Sequence, residues 1–342
     1  MTQEDGAAAR PRRVTVVTLS KLAGVAPSTI TRALKGDPRI SPKTREKISA
    51  LAKEYGYTPN ALARTLSSGR SGLYGIVLGP ESNPLYSHIL HAAMDEAESI
   101  GCRLLMLHIG MEQMDEKTAE ALLQYQVDGC LITSAAIGSR AADICRENNV
   151  PLVMVNRVAE RHGSFVSCDN RAGAGLLAKH LLQTGRRKFA VIRPPQTSST
   201  ARDRENGFTE VLADAGIAGV MRLNYASGWD EGYAAGGVLA GMLEGEQPDA
   251  VFALSDILAM GVIDGLRAAG IRVPQDIAVV GFDGLPESQR PTYQLTTVEQ
   301  PIRMMINRAF KLLEARTKDY FLPDEQVSLG GRLLIGKSSQ LT

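Results

Sequence analysis

Seven short apolar runs alternate with amphipathic stretches between residues 74 and 281, and this alternation constrains the fold more than any other feature. The runs are Tyr74–Leu78, Arg103–His108, Gly129–Thr133, Leu152–Val155, Phe189–Ile192, Ala250–Leu254 and Ile277–Gly281. Helical periodicity marks Ser87–Ile100, Glu116–Tyr125, Ala172–Gln183, Glu205–Ala215, Gly232–Leu243 and Ile257–Ala269 between them. Strands alternating with helices pair in parallel, because each crossover helix returns the chain to the same end of the sheet, and helices then cover both faces. There are too many units for one doubly wound sheet of usual size, which predicts two similar α/β lobes divided near Cys168–Arg171. A final helix, Pro301–Ala315, and a strand around Ser328–Ile335 are expected to cross back and complete both lobes. Ligands of such sheets bind outside the carboxyl ends of the strands, here the cleft between the lobes.

The N-terminal part has another texture. Arg10–Ser71 holds 13 Lys/Arg against 3 Asp/Glu, leaving 25 against 34 elsewhere, so a net charge of +1 conceals a basic end on an acidic body. That segregation fits a nucleic-acid-binding module joined to something else. Thr15 is a candidate N-cap for a helix over Val16–Ala23, and Gly24 supplies a sharp turn. Pro27 suits the first position of a second helix that runs to about Lys35. Ser41-Pro42 starts a third, which carries Ile48, Leu51 and Ala52 inward and stops at Gly56. Thr58–Leu66 is a further capped segment, too short to be stable alone, and the Ser/Gly-rich run to Gly72 is a flexible joint.

At 342 residues two or three domains are expected. The divisions are a disordered leader (1–13), a helix-turn-helix domain (14–58), a hinge helix and linker (59–72) and a two-lobed body (73–342). Lobe 1 is placed at about 73–169 plus 301–327, and lobe 2 at about 170–300 plus 328–338. The four cysteines, Cys102, Cys130, Cys145 and Cys168, are scattered, without a CxxC pair or metal-ligand spacing, and read as small core residues in a reducing compartment. Residues 1–13 lack the apolar stretch of a secretory signal, and no apolar run has the length of a membrane span. A cytoplasmic protein without cofactor or metal is expected. No Ser-His-acid phrase, Walker loop or metal-spaced cluster suggests catalysis, and Gly173 and Gly175 fall inside a helix rather than after a strand. A solute-binding receptor without a DNA role is opposed by the basic head.

Read as phrases, "LAGVAPSTITRAL", "SPKTREKI" and "GYTPNALARTL" between Leu19 and Leu66 closely resemble the DNA-binding head and hinge of the lactose-repressor (LacI) family. "NPLYSHI" (83–89), "DNRAGAG" (169–175), "RENGF" (204–208), "SDILAMGVIDGLRAAGIRVPQDIAVVGFDG" (255–284) and "LTTVEQP" (295–301) resemble its body, in the family's order. The resemblance covers about Val14 to Ile335. It implies an all-α helix-turn-helix head with a hinge helix, then a periplasmic-binding-protein-like body of parallel sheets. The function it implies is that of a transcriptional repressor that binds a palindromic operator as a homodimer under control of a small sugar, sugar acid or sugar phosphate.

In a helix-turn-helix the second helix enters the major groove with its N-terminal residues on base edges. Here those are Pro27, Ser28, Thr29 and Arg32, with Thr15 among the DNA contacts. The resemblance puts Pro27 and Ser28 at the two main specificity positions; Arg32 has the fork to grip guanine; Thr29 is open between a base contact and a capping or phosphate role. Leu66 matches the family's minor-groove wedge, Asn60 and Arg64 its backbone contacts, and Ala63 the close approach of paired hinge helices. In the body, Arg204 and Asp283 match the main polar effector contacts, Asn156, Thr200, Ser255 and Gln300 secondary ones, and Tyr86 a wall position. The chain departs from the family at its stacking aromatic: Ser227 occupies that place and Trp229 lies two positions beyond. Asp169 and Asp256 are expected as helix caps or ligand contacts. Arg157, Arg193 and Arg202 crowd the pocket phrases and raise the expectation of an anionic effector, against the alternative that they face solvent or pair with lobe carboxylates.

Overall fold

The structure, a computed structural model, describes residues 14–57, 70–79, 83–110, 113–133, 136–158, 163–194, 198–243 and 245–340. The leader, and the segment carrying Asn60, Ala63, Arg64 and Leu66, lie outside the described residues. The chain forms two compact units, Met1–Ser71 and Gly72–Thr342.

The first unit contains α1 (Val16–Ala23), α2 (Pro27–Leu34) and α3 (Pro42–Glu54). Thr15 caps α1, its Oγ1 accepting the Thr18 N–H at 3.2 Å, and Gly24 ends the helix in the left-handed region at φ 71°. That φ costs a side-chain-bearing residue free energy, so glycine at this position makes the tight turn into α2 possible. Ser41 caps α3 at 3.2 Å. Leu19, Ala23, Ile30, Ala33, Ile48 and Ala52 converge into one small core.

The second unit is α/β. Its first sheet runs β13-β7-β6-β4-β1-β2, with every neighbouring pair parallel. The strands are β1 (Leu73–Leu78), β2 (Arg103–His108), β4 (Gly129–Thr133), β6 (Leu152–Val155), β7 (Ser164–Cys168) and β13 (Gln326–Leu329). Helices α4 (Leu85–Ser99) and α11 (Ile302–Lys318) cover one face, and α5 (Glu116–Gln124) and α6 (Ser139–Glu147) cover the other. Short β3 (Gln113–Met114) and β5 (Ala136–Ile137) pair beside it.

The second sheet, β11-β10-β8-β9, is also parallel and is built from β8 (Phe189–Arg193), β9 (Val220–Asn224), β10 (Ala250–Ala253) and β11 (Ala278–Val280). Helices α7 (Asn170–Gln183) and α8 (Ser199–Asp214) pack on one face, α9 (Trp229–Ala240) and α10 (Asp256–Ala268) on the other. The α9–α10 pair is unusually close. A Cβ at Gly232 would stand 2.2 Å from the Leu258 carbonyl oxygen, and one at Gly261 would stand 2.1 Å from that of Trp229.

All seven strands expected from the apolar runs are present, some shifted by a residue at their ends. Ser164–Cys168, Val220–Asn224 and Thr297–Glu299 are additional strands whose polar residues hid them among the loops. The strand expected around Ser328–Ile335 is two strands. Gln326–Leu329 joins β7 in the first sheet, while β14 (Arg332–Leu334) pairs antiparallel with β12 (Thr297–Glu299). Residues 328 and 329 therefore stand with the first lobe. Gly330-Gly331 divides the run, and a Cβ at Gly331 would lie 2.5 Å from Val298 Cγ1. The chain crosses between the lobes at 168–170, 299–302 and 329–332.

Candidate functional site

On α2, Ser28 and Arg32 are exposed four residues apart and share one helix face, opposite the buried Ile30 and Ala33. Pro27 is exposed at the first helical position. Thr29 is half-buried and does not cap the helix, because the cap position is Ala26, which offers no side-chain acceptor. Thr15 is occupied by its own helix: backbone and hydroxyl of Thr18 both bond to it. Its predicted DNA contact would have to use what this cap leaves over.

In the second unit the polar residues gather at the carboxyl ends of strands, where an open α/β sheet exposes free backbone groups and helix starts. Arg204, two turns into α8, is buried. Its Nε donates to Asn170 Oδ1 at 2.8 Å and its Nη1 to the Leu254 carbonyl at 2.6 Å, while Nη2 stands 3.1 Å from Asp283 Oδ1. The guanidinium lies over the Phe282 ring at 3.9 Å, which fixes its plane. Asp283 follows β11 at φ 137° and is held there by backbone bonds to Val298 and Gln300. Gln300 Nε2 also donates to Asp283 Oδ1 at 2.8 Å, and Asn83 Nδ2 donates to Oδ2 at 2.9 Å. Burial pushes the Asp283 carboxyl up, against the pull of Arg204, Asn83 and Gln300 in the other direction.

Behind Asp283 lies Asp256, fully buried. It was expected as a helix cap or ligand contact. Its Oδ2 instead accepts the Leu285 N–H at 2.8 Å and its Oδ1 the Thr297 hydroxyl at 2.5 Å, tying the 283–285 turn to β12. Burial, and then the charge of Asp283, push it up to about 7. Asp169 is the cap of α7, accepting the Ala172 N–H at 2.9 Å.

Of the predicted effector residues, Arg204, Asp283 and Gln300 form one bonded cluster, and Ser255 adjoins it beside Leu254. Thr200 lies one turn before Arg204 on α8, its hydroxyl 3.0 Å from that of Ser198. Asn156 follows β6 in the first lobe at φ 62°, buried, and Tyr86 lies half-buried in the first turn of α4. Among the described residues, Asn156 Oδ1, Ser255 Oγ and Gln300 Oε1 are buried without a hydrogen-bond partner. Of the further arginines, Arg193 pairs with Glu205 at 3.0 Å, which Arg222 also clamps, and Arg202 is exposed. Trp229 is turned outward: 38% exposed, its indole N–H donates to Asp264 and its ring stacks on Tyr233 at 5.3 Å. Sequence reasoning missed Asn83 and Asn170, which hold the two central charges; the signal available was their place in the phrases "NPLYSHI" and "DNRAGAG".

Residues 19–60 match the profile of bacterial regulatory proteins of the lacI family, and residues 178–339 match that of a periplasmic binding protein-like domain. The ribose operon repressor of Halalkalibacterium halodurans is 32% identical over 290 residues, 84% of this chain and 86% of that one. The lac repressor dimer bound to operator and the anti-inducer ONPF shares the fold, with a TM-score of 0.85 at 24% identity over 96% of this chain and all of the other. The transcriptional regulator CelR in complex with cellobiose superposes with a TM-score of 0.68 at 28% identity, covering 95% of this chain and 100% of that one. With a helix-turn-helix head, a body of two parallel-sheet lobes and a buried arginine–aspartate pair at their strand ends, the chain belongs to the lacI family of bacterial transcriptional regulators.

Proposed function

We propose that the protein is a repressor that binds a roughly palindromic operator as a homodimer in the cytoplasm, and that a small neutral sugar in the cleft between the lobes switches it. Each head reads one half-site, with Pro27, Ser28, Thr29 and Arg32 in the major groove, Thr15 at the backbone, and residues 59–72 as the hinge. Asn60 and Arg64 contact sugar-phosphate, Leu66 wedges the central step, and Ala63 lets the two hinge helices meet. It performs no turnover in this reading.

The observation that carries the effector assignment is the state of Arg204. Its charge is met by Asp283, and Asn170 and the Leu254 carbonyl take further N–H groups. Arg193, a candidate for an anion, is already committed to Glu205. Among the buried polar atoms near the strand ends that lack partners, the amide oxygens of Asn156 and Gln300 accept hydrogen bonds, the Ser255 hydroxyl accepts or donates, and Arg193 Nε donates. A neutral ligand whose hydroxyls both donate and accept satisfies all of them, whereas carboxylate or phosphate oxygens only accept and cannot pair with the Asn156 and Gln300 oxygens. Relatives named for ribose and cellobiose support a sugar of this kind. Tyr86 forms part of the wall for the ring, and Thr200 a flanking hydroxyl.

The test is a thermal-shift screen of full-length protein against matched aldoses, aldonates and sugar phosphates, followed by operator retention with each hit. A stabilising neutral member whose addition changes operator retention is the expected result, since a native-state ligand raises the melting temperature. Stabilisation by the anionic members alone would overturn the neutral assignment.

A further inference from the structure

The chain crosses between the lobes at 168–170, 299–302 and 329–332, so non-covalent bonds across the cleft determine how closed the lobes stand. Two such contacts run between the same pair of segments. Asn83, just before α4 in the first lobe, accepts the Leu85 N–H on its Oδ1 at 2.9 Å. That bond fixes the amide so that Nδ2 reaches Asp283 Oδ2 in the second lobe at 2.9 Å. In the next turn, His88 Nε2 stands 3.7 Å from Glu287 Oε2, a buried oxygen that makes no hydrogen bond among the described residues. The two contacts join the start of α4 to residues 283–287.

Asp283 divides its two oxygens between lobes. Oδ1 takes Arg204 from its own lobe and Gln300 from the adjoining crossover, and Oδ2 takes Asn83 from the other lobe. We propose that Asn83 and His88 form an interlobe clasp that holds the cleft closed in the ligand-free protein, with the Asn83–Asp283 bond as its stronger member. A hydrogen bond to a buried carboxylate is among the stronger kinds and cannot be replaced by water without opening the cleft. Two closed-and-open states differing by such a bond shift their populations when it is removed. The clasp makes Asp283, the carboxylate assigned to effector binding above, the group through which the first lobe is gripped.

The experiment uses the full-length dimer with Glu120→Cys and Glu246→Cys, exposed positions in the first and second lobe, carrying spin labels; the native cysteines are buried and stay unlabelled. Dilution into excess unlabelled protein leaves most labelled protomers with an unlabelled partner, and pulsed dipolar spectroscopy at pH 8 reads the distance within one protomer. Asn83→Asp keeps an acceptor for the Leu85 N–H but replaces the donor with a second carboxylate facing Asp283. The parent should give one narrow distance. Asn83→Asp and Asn83→Ala should both shift the closed-to-open ratio roughly ten- to a hundred-fold toward a longer distance, the range a charge-assisted hydrogen bond sets. His88→Ala should shift it less, in the same direction. An unchanged distribution in Asn83→Asp overturns the proposal, and so does opening by Asn83→Ala alone, which would trace the effect to the lost helix cap. No sugar or DNA enters the measurement, so its outcome is independent of the effector assignment.

Discussion

Replacing Gly261 by alanine adds a single methyl group where α9 and α10 leave no room for it. The new Cβ would stand 2.1 Å from the Trp229 carbonyl oxygen, 2.8 Å from the Tyr233 nitrogen and 3.0 Å from the Gly232 Cα. All three are backbone atoms of the opposite helix, so no side chain can rotate away. Restoring an ordinary contact of about 3.5 Å to the carbonyl requires the helices to part by about 1.4 Å, and a gap of that size forfeits half or more of the dispersion attraction across it. Ala235, Leu239, Leu258, Val262 and Leu266, fully or almost fully buried on these two helices, would lose packing together. Overpacking costs about 1–3 kcal/mol, and the spread of the damage places Gly261→Ala at the upper end, even after the roughly 1 kcal/mol that alanine gains over glycine in a helix. Gly237→Ala on α9 is the control. It has nothing within 4 Å of its Cβ and should stabilise by about 0.5–1 kcal/mol. Thermal melts of the two variants should therefore move in opposite directions, by roughly 2–4 °C per kcal/mol. Equal shifts of the same sign would refute the claim that backbone contact, rather than helix propensity, governs this pair.

Arg32→Ala should cost on the order of 1–3 kcal/mol of operator affinity and relax specificity at one base pair per half-site, measured on operators mutated position by position; a uniform loss on all sequences would make Arg32 a phosphate contact. Leu66→Ala should leave the body's melting unchanged yet reduce DNA bending in a circular-permutation assay, and undiminished bending would end the wedge assignment. Asp256 gives the pH dependence its sign. Its folded value is raised to about 7, so between the unfolded carboxylate range and that value the native state holds a proton that the unfolded chain has released, and stability falls as pH rises through this window. Asp256→Asn should flatten that fall between about pH 4 and 7, and an unaltered stability profile would count against a protonated Asp256.

The head and its elements were legible in the sequence because their determinants are local. Thr15, Gly24, Pro27, Ser41 and Pro42 act within a turn of their own positions, and the helices begin and end where these residues put them. The alternation of apolar runs with helical stretches likewise dictated two covered parallel sheets, since a buried strand must be apolar wherever it lies in the chain. The strands that escaped, Ser164–Cys168, Val220–Asn224 and Thr297–Glu299, carry polar residues whose place in a sheet is set by neighbours far away in sequence. The same holds within the candidate site. Arg204 and Asp283 could be picked out from their phrases, but the charge balance that argues for a neutral ligand depends on contacts between residues 12 to 200 positions apart. Those contacts include Asn170 on Arg204, Glu205 claiming Arg193, and Asn83 reaching across the lobes to Asp283. Which charges are spent and which polar atoms remain unpaired is a property of three-dimensional proximity, and only the packing of the two lobes decides it.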